Sequence, residues 1–279
     1  MLFVIMPWKA ESGKEYLLCL LDTNAISEIL KNTKLEGKNF FERYPPTSIA
    51  PCFTIYNLIE LRRNQIVYEK FLIVFSIYPI FLLKTQKMIV DAEIENYDRK
   101  EEVSSLYNAF SYFGKSESYN LESFIDKYFQ DPDAKEMEKT WRANEADTLA
   151  VWLAGKQNFS PNENYPNTKD AERYMEEAAV QTIINQNMEW AGSIIKSGQI
   201  LDIDRLPSIK MMLYSLYYRL YDPSWKPMPS EVTDISIIAA TPYVDIFITE
   251  KFQANIMDKI KSKVKNLDVL EVKRIRDLR

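Results

Sequence analysis

Short apolar runs and amphipathic patterns alternate in the first part of the chain, which predicts strands and helices in turn. The run 16–21 (YLLCLL) has the length and character of a buried strand, and 23–32 (TNAISEILKN) has one apolar helical stripe. Thr54 is placed to cap a second helix over 55–64 (IYNLIELRRN). The strongly apolar segment 68–83 fits either a helix or a strand, and its pattern does not decide between them.

The middle of the chain, residues 84–221, is patterned differently. Apolar residues recur at i, i+3 and i+4 in several stretches, which predicts helices separated by polar loops. These stretches are 86–97, 139–157, 170–198 and 208–221, with a polar loop at 160–169. A proline-rich hinge, DPSWKPMPS (222–230), ends the helical region and is the best boundary in the chain.

After the hinge the β/α rhythm returns. A helix is predicted over 231–241, a strand over 243–249, a helix over 250–264 and a final strand over 267–275. The simplest architecture is an α/β fold, with a parallel sheet that has helices on both faces and is divided in sequence by a mostly helical insertion. We therefore predict three parts: an N-terminal part of the core at 1–83, an insertion at 84–221 and a C-terminal part of the core at 222–279.

Composition removes several classes of chemistry. The 279 residues include no histidine, which excludes Ser-His-Asp and Cys-His catalysis and histidine-rich zinc sites. The six glycines do not form a phosphate-binding loop, which excludes nucleotide chemistry on a P-loop. Acid–base or metal chemistry must therefore use carboxylates, lysines, tyrosines or thiols.

The cysteine content and the N-terminal segment indicate the cellular location, and the charge bears on nucleic-acid binding. Cys19 and Cys52 suit buried thiols in a reducing compartment, and the apolar start MLFVIMPW lacks the basic region of a signal peptide, so we predict a cytoplasmic protein without a membrane span. The net charge of −5 argues against a broadly basic surface for nucleic acid. Local basic strips are conceivable, and they would be solvated helix faces if they had no such role. The candidates are Arg62, Arg63, Lys259, Lys261, Lys263, Lys265 and the tail KRIRDLR.

Four acids stand where a parallel sheet presents its ligands, beyond the carboxyl ends of strands. Asp22 ends the first strand, Glu60 lies on the next helix, Asp234 lies in the predicted first turn after the hinge, and Glu250 follows Thr249 at the end of a strand. Each also has a structural interpretation, as a helix cap, a dipole partner or a surface residue. Clustered carboxylates repel one another unless they are protonated or bridged by cations, and hard oxygen ligands favour Mg²⁺ or Mn²⁺.

These residues carry a resemblance to a known family. The segments LLDTNAISEIL, TIYNLIEL and TDISIIAATPYVDIFITEKF resemble the consecutive motifs of PIN-domain nucleases, over roughly 19–65 and 230–275. The resemblance implies a PIN-like core and metal-dependent hydrolysis of phosphodiester bonds, usually in RNA, as by an endoribonuclease. It implies Mg²⁺ or Mn²⁺ held by Asp22, Asp234 and Glu250, with Glu60 binding a second ion or orienting the water. Asn24, Thr54 and Thr249 would support these ligands by hydrogen bonds.

Two departures from the family keep other interpretations open. The last acid is Glu250 where the family has aspartate, and the helical stretch is longer than the usual connection. That stretch would shape a substrate channel, cover the site or dock a protein partner or a second copy of the chain. A catalytically inert PIN-like scaffold that binds RNA or a protein is therefore an alternative.

Three further alternatives concern other acids or another hydrolase class. Glu145 and Asp147 mimic the third motif, but their helix does not run straight into a strand, and we expect Asp147 on a solvated helix face. A phosphoaspartyl hydrolase of the haloacid-dehalogenase type would have an acid where Asn24 stands. Asp245 competes with Glu250 for the fourth position, but we assign it to the start of the strand. It lies five residues, about 16 Å, from the carboxyl end.

Overall fold

The computed structural model describes residues 8–9, 15–99, 110–112, 120–158, 177–185, 187–198, 201–220, 222, 224–264, 267 and 269–278. The strands are β1 (Trp8–Lys9), β2 (Glu15–Leu21), β3 (Ile49–Phe53), β4 (Ile80–Leu82), β5 (Phe110–Tyr112), β6 (Ile246–Thr249) and β7 (Glu271–Arg274). The helices are α1 (Thr23–Lys31), α2 (Glu36–Arg43), α3 (Ile55–Arg62), α4 (Gln65–Phe75), α5 (Gln86–Arg99), α6 (Leu121–Tyr128), α7 (Pro132–Asn158), α8 (177–185), α9 (Met188–Ser197), α10 (Pro207–Leu220), α11 (Pro229–Ile238) and α12 (Lys251–Ile260).

The sheet has the order β5-β4-β3-β2-β6-β7, with β1 also paired to β2. The five strands β4, β3, β2, β6 and β7 run parallel, whereas β1 and β5 pair antiparallel to their neighbours. From β2 the chain moves to β3 and β4 on one side, and it later returns to β6 and β7 on the other. The strand order therefore reverses between β2 and β6, which is where open α/β sheets form a ligand crevice.

Local sequence accounts for the first β/α unit. Residues 18–21 of β2 are buried, as the apolar run predicts for a strand covered on both faces. Asp22 then caps α1, whose buried stripe consists of Ala25, Ile26, Ile29 and Leu30. The predicted α/β class with a parallel sheet is confirmed.

The ambiguous segment 68–83 contains both kinds of element. Residues through Phe75 complete α4, and Ile80–Leu82 form β4 after a turn at 76–77, with Pro79 directly before the strand. Phe71 and Phe75 of α4 pack on Phe53 of β3 with ring centroids 5.0 and 5.2 Å apart. The segment therefore contains a helix followed by a strand, which the apolar pattern alone did not distinguish.

The middle of the chain is mostly helical where it is described, but it is not separate from the sheet. Residues 110–112 form β5, which pairs with β4 at the sheet edge. The predicted helical stretch 170–198 is interrupted, since Asn187 caps a new helix by accepting from the Trp190 amide at 3.1 Å. The predicted loop at 160–169 lies outside the described residues. Among the helices described, none is long and apolar enough to cross a membrane.

The end of α7 is attached to the end of α10. Lys156 donates to the carbonyl oxygens of Leu220 and Asp222 at 2.6 and 2.5 Å. Carbonyl groups at a helix C-terminus lack partners within the helix, so a lysine there satisfies them and complements the dipole. The first half of α7 packs on α3, with the ring centroids of Trp141 and Tyr56 4.5 Å apart.

A buried acid joins α5 to the C-terminal part of the core. Glu93 accepts hydrogen bonds from the Ser208 amide at 2.9 Å and from the Tyr243 hydroxyl. Its other carboxyl oxygen has no hydrogen-bond partner among the described residues. Burial raises the pKa of Glu93 to about 7, although the hydrogen bonds from Tyr243 and Ser208 act in the opposite direction.

Glu93→Gln should therefore change how stability depends on pH. A folded-state pKa of about 7 lies above the ordinary 4.5. The folded state then holds more protons between these values, and stability is lost as pH rises through them. Glutamine does not titrate, so the variant lacks this loss. As pH rises from about 4 to about 8, its free energy of unfolding should increase by about 3 kcal/mol relative to that of wild type. Thermal unfolding across this range, with exposed Glu95→Gln as control, measures it; parallel curves for wild type and Glu93→Gln would contradict it.

Candidate functional site

Two of the predicted acids flank the position where the strand order reverses. Asp22 directly follows β2 and Glu250 directly follows β6, and these strands are parallel neighbours. The Asp22 amide donates to the Ile248 carbonyl oxygen at 3.1 Å, which ties the two strand ends together. The predicted parallel pairing is confirmed, and both acids lie at the carboxyl edge of the sheet.

Asp22 serves both as a helix cap and as a link to β6. One carboxylate oxygen accepts from the Ala25 amide at 2.5 Å, and the other accepts from the Thr249 hydroxyl and from the Glu250 amide at 3.1 Å. The residue is only 3% exposed. Burial raises the pKa of Asp22 to about 6 despite these hydrogen bonds, and the charge of Glu250 raises it further.

Asp234 and Glu60 belong to the same electrostatic neighbourhood. Burial raises the pKa of Asp234 well above its usual range, and repulsion from Asp22, Glu231 and Glu60 adds to the effect. Burial also raises the pKa of Glu60, with smaller increases from the charges of Glu145 and Asp22. The helices that carry these acids, α3 and α11, pack on each other. We call Asp22, Glu60, Asp234 and Glu250 the acid site.

Glu250 directly precedes α12, but its side chain makes no capping hydrogen bond to this helix. Its carboxylate accepts from the Asn24 amide nitrogen at 3.4 Å, across the junction between the two strand ends. Burial raises the pKa of Glu250, and the charge of Glu231 raises it further. The Glu250 side chain is therefore held towards α1, the helix that Asp22 caps, rather than towards α12.

Asp234 is not in the first turn of its helix, and that prediction is wrong. Because Pro229 is well suited to the first helical position, α11 begins two residues before the predicted start. Glu231 occupies the first turn, where an acid complements the helix dipole. This leaves Asp234 more than one turn inside the helix, where the dipole does not account for its position.

The three supporting residues act differently from one another. Thr249 donates to Asp22 and Asn24 donates to Glu250, as the predicted supporting roles require. Thr54 caps α3 as predicted, but its partner is Asn57, which accepts from the Thr54 amide and hydroxyl at 2.8 and 2.9 Å. Thr54 therefore reaches the acid site through another side chain.

Asn57 is a residue that the sequence interpretation missed. It is fully buried, and its amide nitrogen donates to the Leu21 carbonyl at 3.2 Å and to the Thr23 hydroxyl at 3.1 Å. Thr23 in turn forms a hydrogen bond with Glu60 that lowers the pKa of this acid. Asn57 thus connects the end of β2 to the start of α3. Its position three residues after the capping Thr54 was an available indication of a capping box.

The competing acids occupy other places. Asp245 accepts from the Leu18 amide at 2.7 Å at the start of β6, as expected of a structural acid. Asp147 is exposed, as predicted, on α7. Glu145 on the same helix lies 3.9 Å from Arg63 and raises the pKa of Glu60, so it borders the acid site.

Several of the predicted basic residues contact other side chains of the chain. Arg62 contacts Asp126 and Glu138 at 2.8 and 3.0 Å and stacks over Phe129, and Arg63 contacts Glu145. In the tail, Lys273 pairs with Glu271 and Arg274 bonds to Asn255. Lys265 lies outside the described residues. These contacts account for Arg62, Arg63, Lys273 and Arg274 without nucleic acid.

Glu250→Gln and Asp245→Asn should separate the two acids of the β6 segment. The first removes charge beside Asp22, whereas the second alters a carboxylate that bonds the Leu18 amide at the opposite end of the strand. Mn²⁺ binding, measured by isothermal titration calorimetry, should weaken in Glu250→Gln and remain at the wild-type level in Asp245→Asn. The reverse result would remove Glu250 from the acid site.

The chemistry of the acid site fits a hard divalent cation. Its donors are carboxylates whose negative charges raise one another's pKa, and such repulsion is what a bound cation relieves. Within the described ranges, however, no three histidine, cysteine, aspartate or glutamate side chains are already arranged to hold a metal ion. The predicted convergence of Asp22, Asp234 and Glu250 on one point is thus not present among these residues.

Comparisons with protein-family models, with curated proteins and with solved structures found no match to this chain.

Proposed function

We propose that the protein is a metal-dependent phosphodiester hydrolase of the PIN-domain type, acting on RNA as an endoribonuclease. One observation carries the proposal: Asp22 and Glu250 end adjacent parallel strands at the reversal of strand order, with Asp234 and Glu60 in the same electrostatic neighbourhood. The parallel α/β core supports it, since ligands of such sheets bind beyond this edge. The absence of histidine supports it too, because carboxylates alone can hold the cation.

Each residue of the site has a proposed role. Asp22 would be the central ligand, Asp234 and Glu250 would complete the set, and Glu60 would bind a second ion or orient the attacking water. Bound Mg²⁺ or Mn²⁺ would lower the pKa of a water and neutralise charge on the phosphate. Thr249 donates to the Asp22 carboxylate and Asn24 donates to that of Glu250, and these hydrogen bonds would help to orient the two ligands when a cation binds.

A catalytically inert scaffold is the second candidate. A specific observation favours it: burial raises the pKa of Asp234 and Glu250, and the positive charge of Arg219 already opposes this rise without a bound cation. Such a protein would bind RNA, a protein or a second copy of itself, and the helical segment around α7 is the proposed docking surface.

Cleavage of a mixed RNA pool tests the proposal. Purified protein is incubated with the pool in Mg²⁺, in Mn²⁺ and in EDTA, with a matched DNA pool in parallel. We expect internal cleavage of RNA that requires the cation and stops in EDTA. Activity that persists in the chelator would reject the mechanism, and RNA binding without cleavage would favour the scaffold.

A further inference from the structure

Arg219 is a charged residue in an unusual position. It lies next to the last residue of α10 and is 0% exposed, the largest of the fully buried side chains in the described part of the chain. Buried charges are rare in proteins unless they are paired, because leaving water costs several kcal/mol per ion. The surroundings of Arg219 must therefore compensate its charge.

The guanidinium group has a polar partner on each of its nitrogens. Nε donates to Glu231 at 2.6 Å, Nη1 donates to the carbonyl oxygen and hydroxyl of Ser215, and Nη2 donates to the side-chain oxygen of Gln253. The Phe252 ring lies 5.5 Å from the guanidinium carbon. A planar group with several donors is suited to joining more than one helix in this way.

Both partners outside α10 are one helical turn from an acid of the site. Glu231 precedes Asp234 by three residues on α11, and Gln253 follows Glu250 by three residues at the start of α12. Residues three apart are neighbours on a helix surface. Arg219 thus joins the two helical segments that carry Asp234 and Glu250.

The charge of Arg219 also acts on these acids. The pKa of Asp234 and of Glu250 is raised mainly by burial, and in both cases the arginine opposes the increase. The acids therefore share one internal cation, although its direct ion pair is with Glu231.

We propose that Arg219 is a positioning residue of the acid site, an internal cation that offsets the repulsion among the carboxylates and holds α11 and α12 in place. This inference rests on the proposed function only in regarding these acids as one site. A purely structural arginine, by contrast, would stabilise α10 and Glu231 without regard to the charge of Asp234.

A double-mutant cycle in EDTA distinguishes the two roles. The variants are Arg219→Met, Asp234→Asn and the double variant, with exposed Asp147→Asn as the matched control acid. Arg219→Met should lower the melting temperature by roughly 10 °C, since it leaves buried acids without their cation. Asp234→Asn in that background should recover about half of the loss, whereas Asp147→Asn should recover none.

Additive effects of Arg219→Met and Asp234→Asn would overturn the proposal. If Arg219→Met does not fold, the double variant should still fold, and its failure would also overturn it. Arg219→Lys keeps the positive charge but lacks the planar guanidinium group, so its melting temperature should fall less than that of Arg219→Met. An equal fall would show that only the geometry of the guanidinium matters, and it would reject the role as cation. Arg205→Met, two residues before the start of α10, controls for the loss of a partly buried arginine and its contacts.

The proposed function has its own readout in the same assay. Adding Mn²⁺ to the wild-type protein should raise its melting temperature, because a ligand that binds the folded state stabilises it. Positive coupling in EDTA with no Mn²⁺ effect would retain the role of Arg219 and reject the metal site. A Mn²⁺ effect together with additive effects of Arg219→Met and Asp234→Asn would retain the metal site and reject the proposed role of Arg219.

Discussion

Asp22→Asn is expected to lower metal-dependent RNA cleavage by roughly 100-fold or more while leaving the protein folded. The substitution keeps the size of the side chain and removes the charge that would bind the cation. One oxygen remains to accept from the Ala25 amide and cap α1. Loss of a carboxylate from a site where burial raises its pKa to about 6 also removes a source of repulsion, which limits the cost to stability.

Single-turnover cleavage of RNA in Mg²⁺ measures the effect, and circular dichroism and thermal unfolding check the fold. Asp147→Asn is the matched control, because it makes the same chemical change on an exposed face of α7 and should retain wild-type activity. A fully active Asp22→Asn protein would remove Asp22 from the site. Equal losses in the two variants would show that the assay reports total charge rather than the acid site.

Asn57→Ala should lower the free energy of unfolding by about 3 kcal/mol. The buried amide bonds the Leu21 carbonyl, the Thr23 hydroxyl and the Thr54 amide and hydroxyl. Alanine would leave several of these groups buried without partners, and each such group costs about 1–3 kcal/mol. Cleavage should also fall, because Thr23 would no longer be held against Glu60.

Chemical denaturation of wild type, Asn57→Ala and Asn144→Ala measures the difference. Asn144 is exposed on α7 and makes only a 3.4 Å contact with Thr140, so its removal should change stability by less than about 0.5 kcal/mol. A similar small effect for Asn57→Ala would mean that water replaces the amide and that the link between β2 and α3 is weak.

Local sequence was sufficient for the elements that form the sheet centre. The apolar run at 16–21 and the capping residues Asp22 and Thr54 indicate a strand, a helix start and a second helix start, and all three are present. The segment 243–249 likewise leads into a strand that ends at Thr249. Burial on both faces makes such strands continuously apolar, which is a strong local pattern.

Elements that depend on distant partners could not be predicted. The three residues of β5 become a strand only by pairing with β4, and 68–83 divides into a helix and a strand through aromatic packing on β3. The early start of α11 follows from Pro229, whose suitability for a first helical turn was overlooked.

The same distinction applies to the acid site. Its four acids could be proposed because Asp22 and Glu250 directly follow predictable strands, and Glu60 and Asp234 lie on predictable helices. Asn57 and Arg219 each have a partner 34 residues away, Thr23 for Asn57 and Gln253 for Arg219, and only the fold brings these together. A lone arginine within the apolar run YYRLY was the available indication that a buried charge needed a partner.

Diffraction from crystals soaked in Mn²⁺, with the anomalous signal of the metal, tests the acid site most directly. We expect a peak at the carboxyl edge between β2 and β6, with the carboxylate oxygens of Asp22, Asp234 and Glu250 about 2.0–2.6 Å from it. The same soak of Asp22→Asn should lose the peak. A wild-type crystal with no peak at this edge, or with Mn²⁺ bound only elsewhere, would contradict the proposed metal-dependent nuclease.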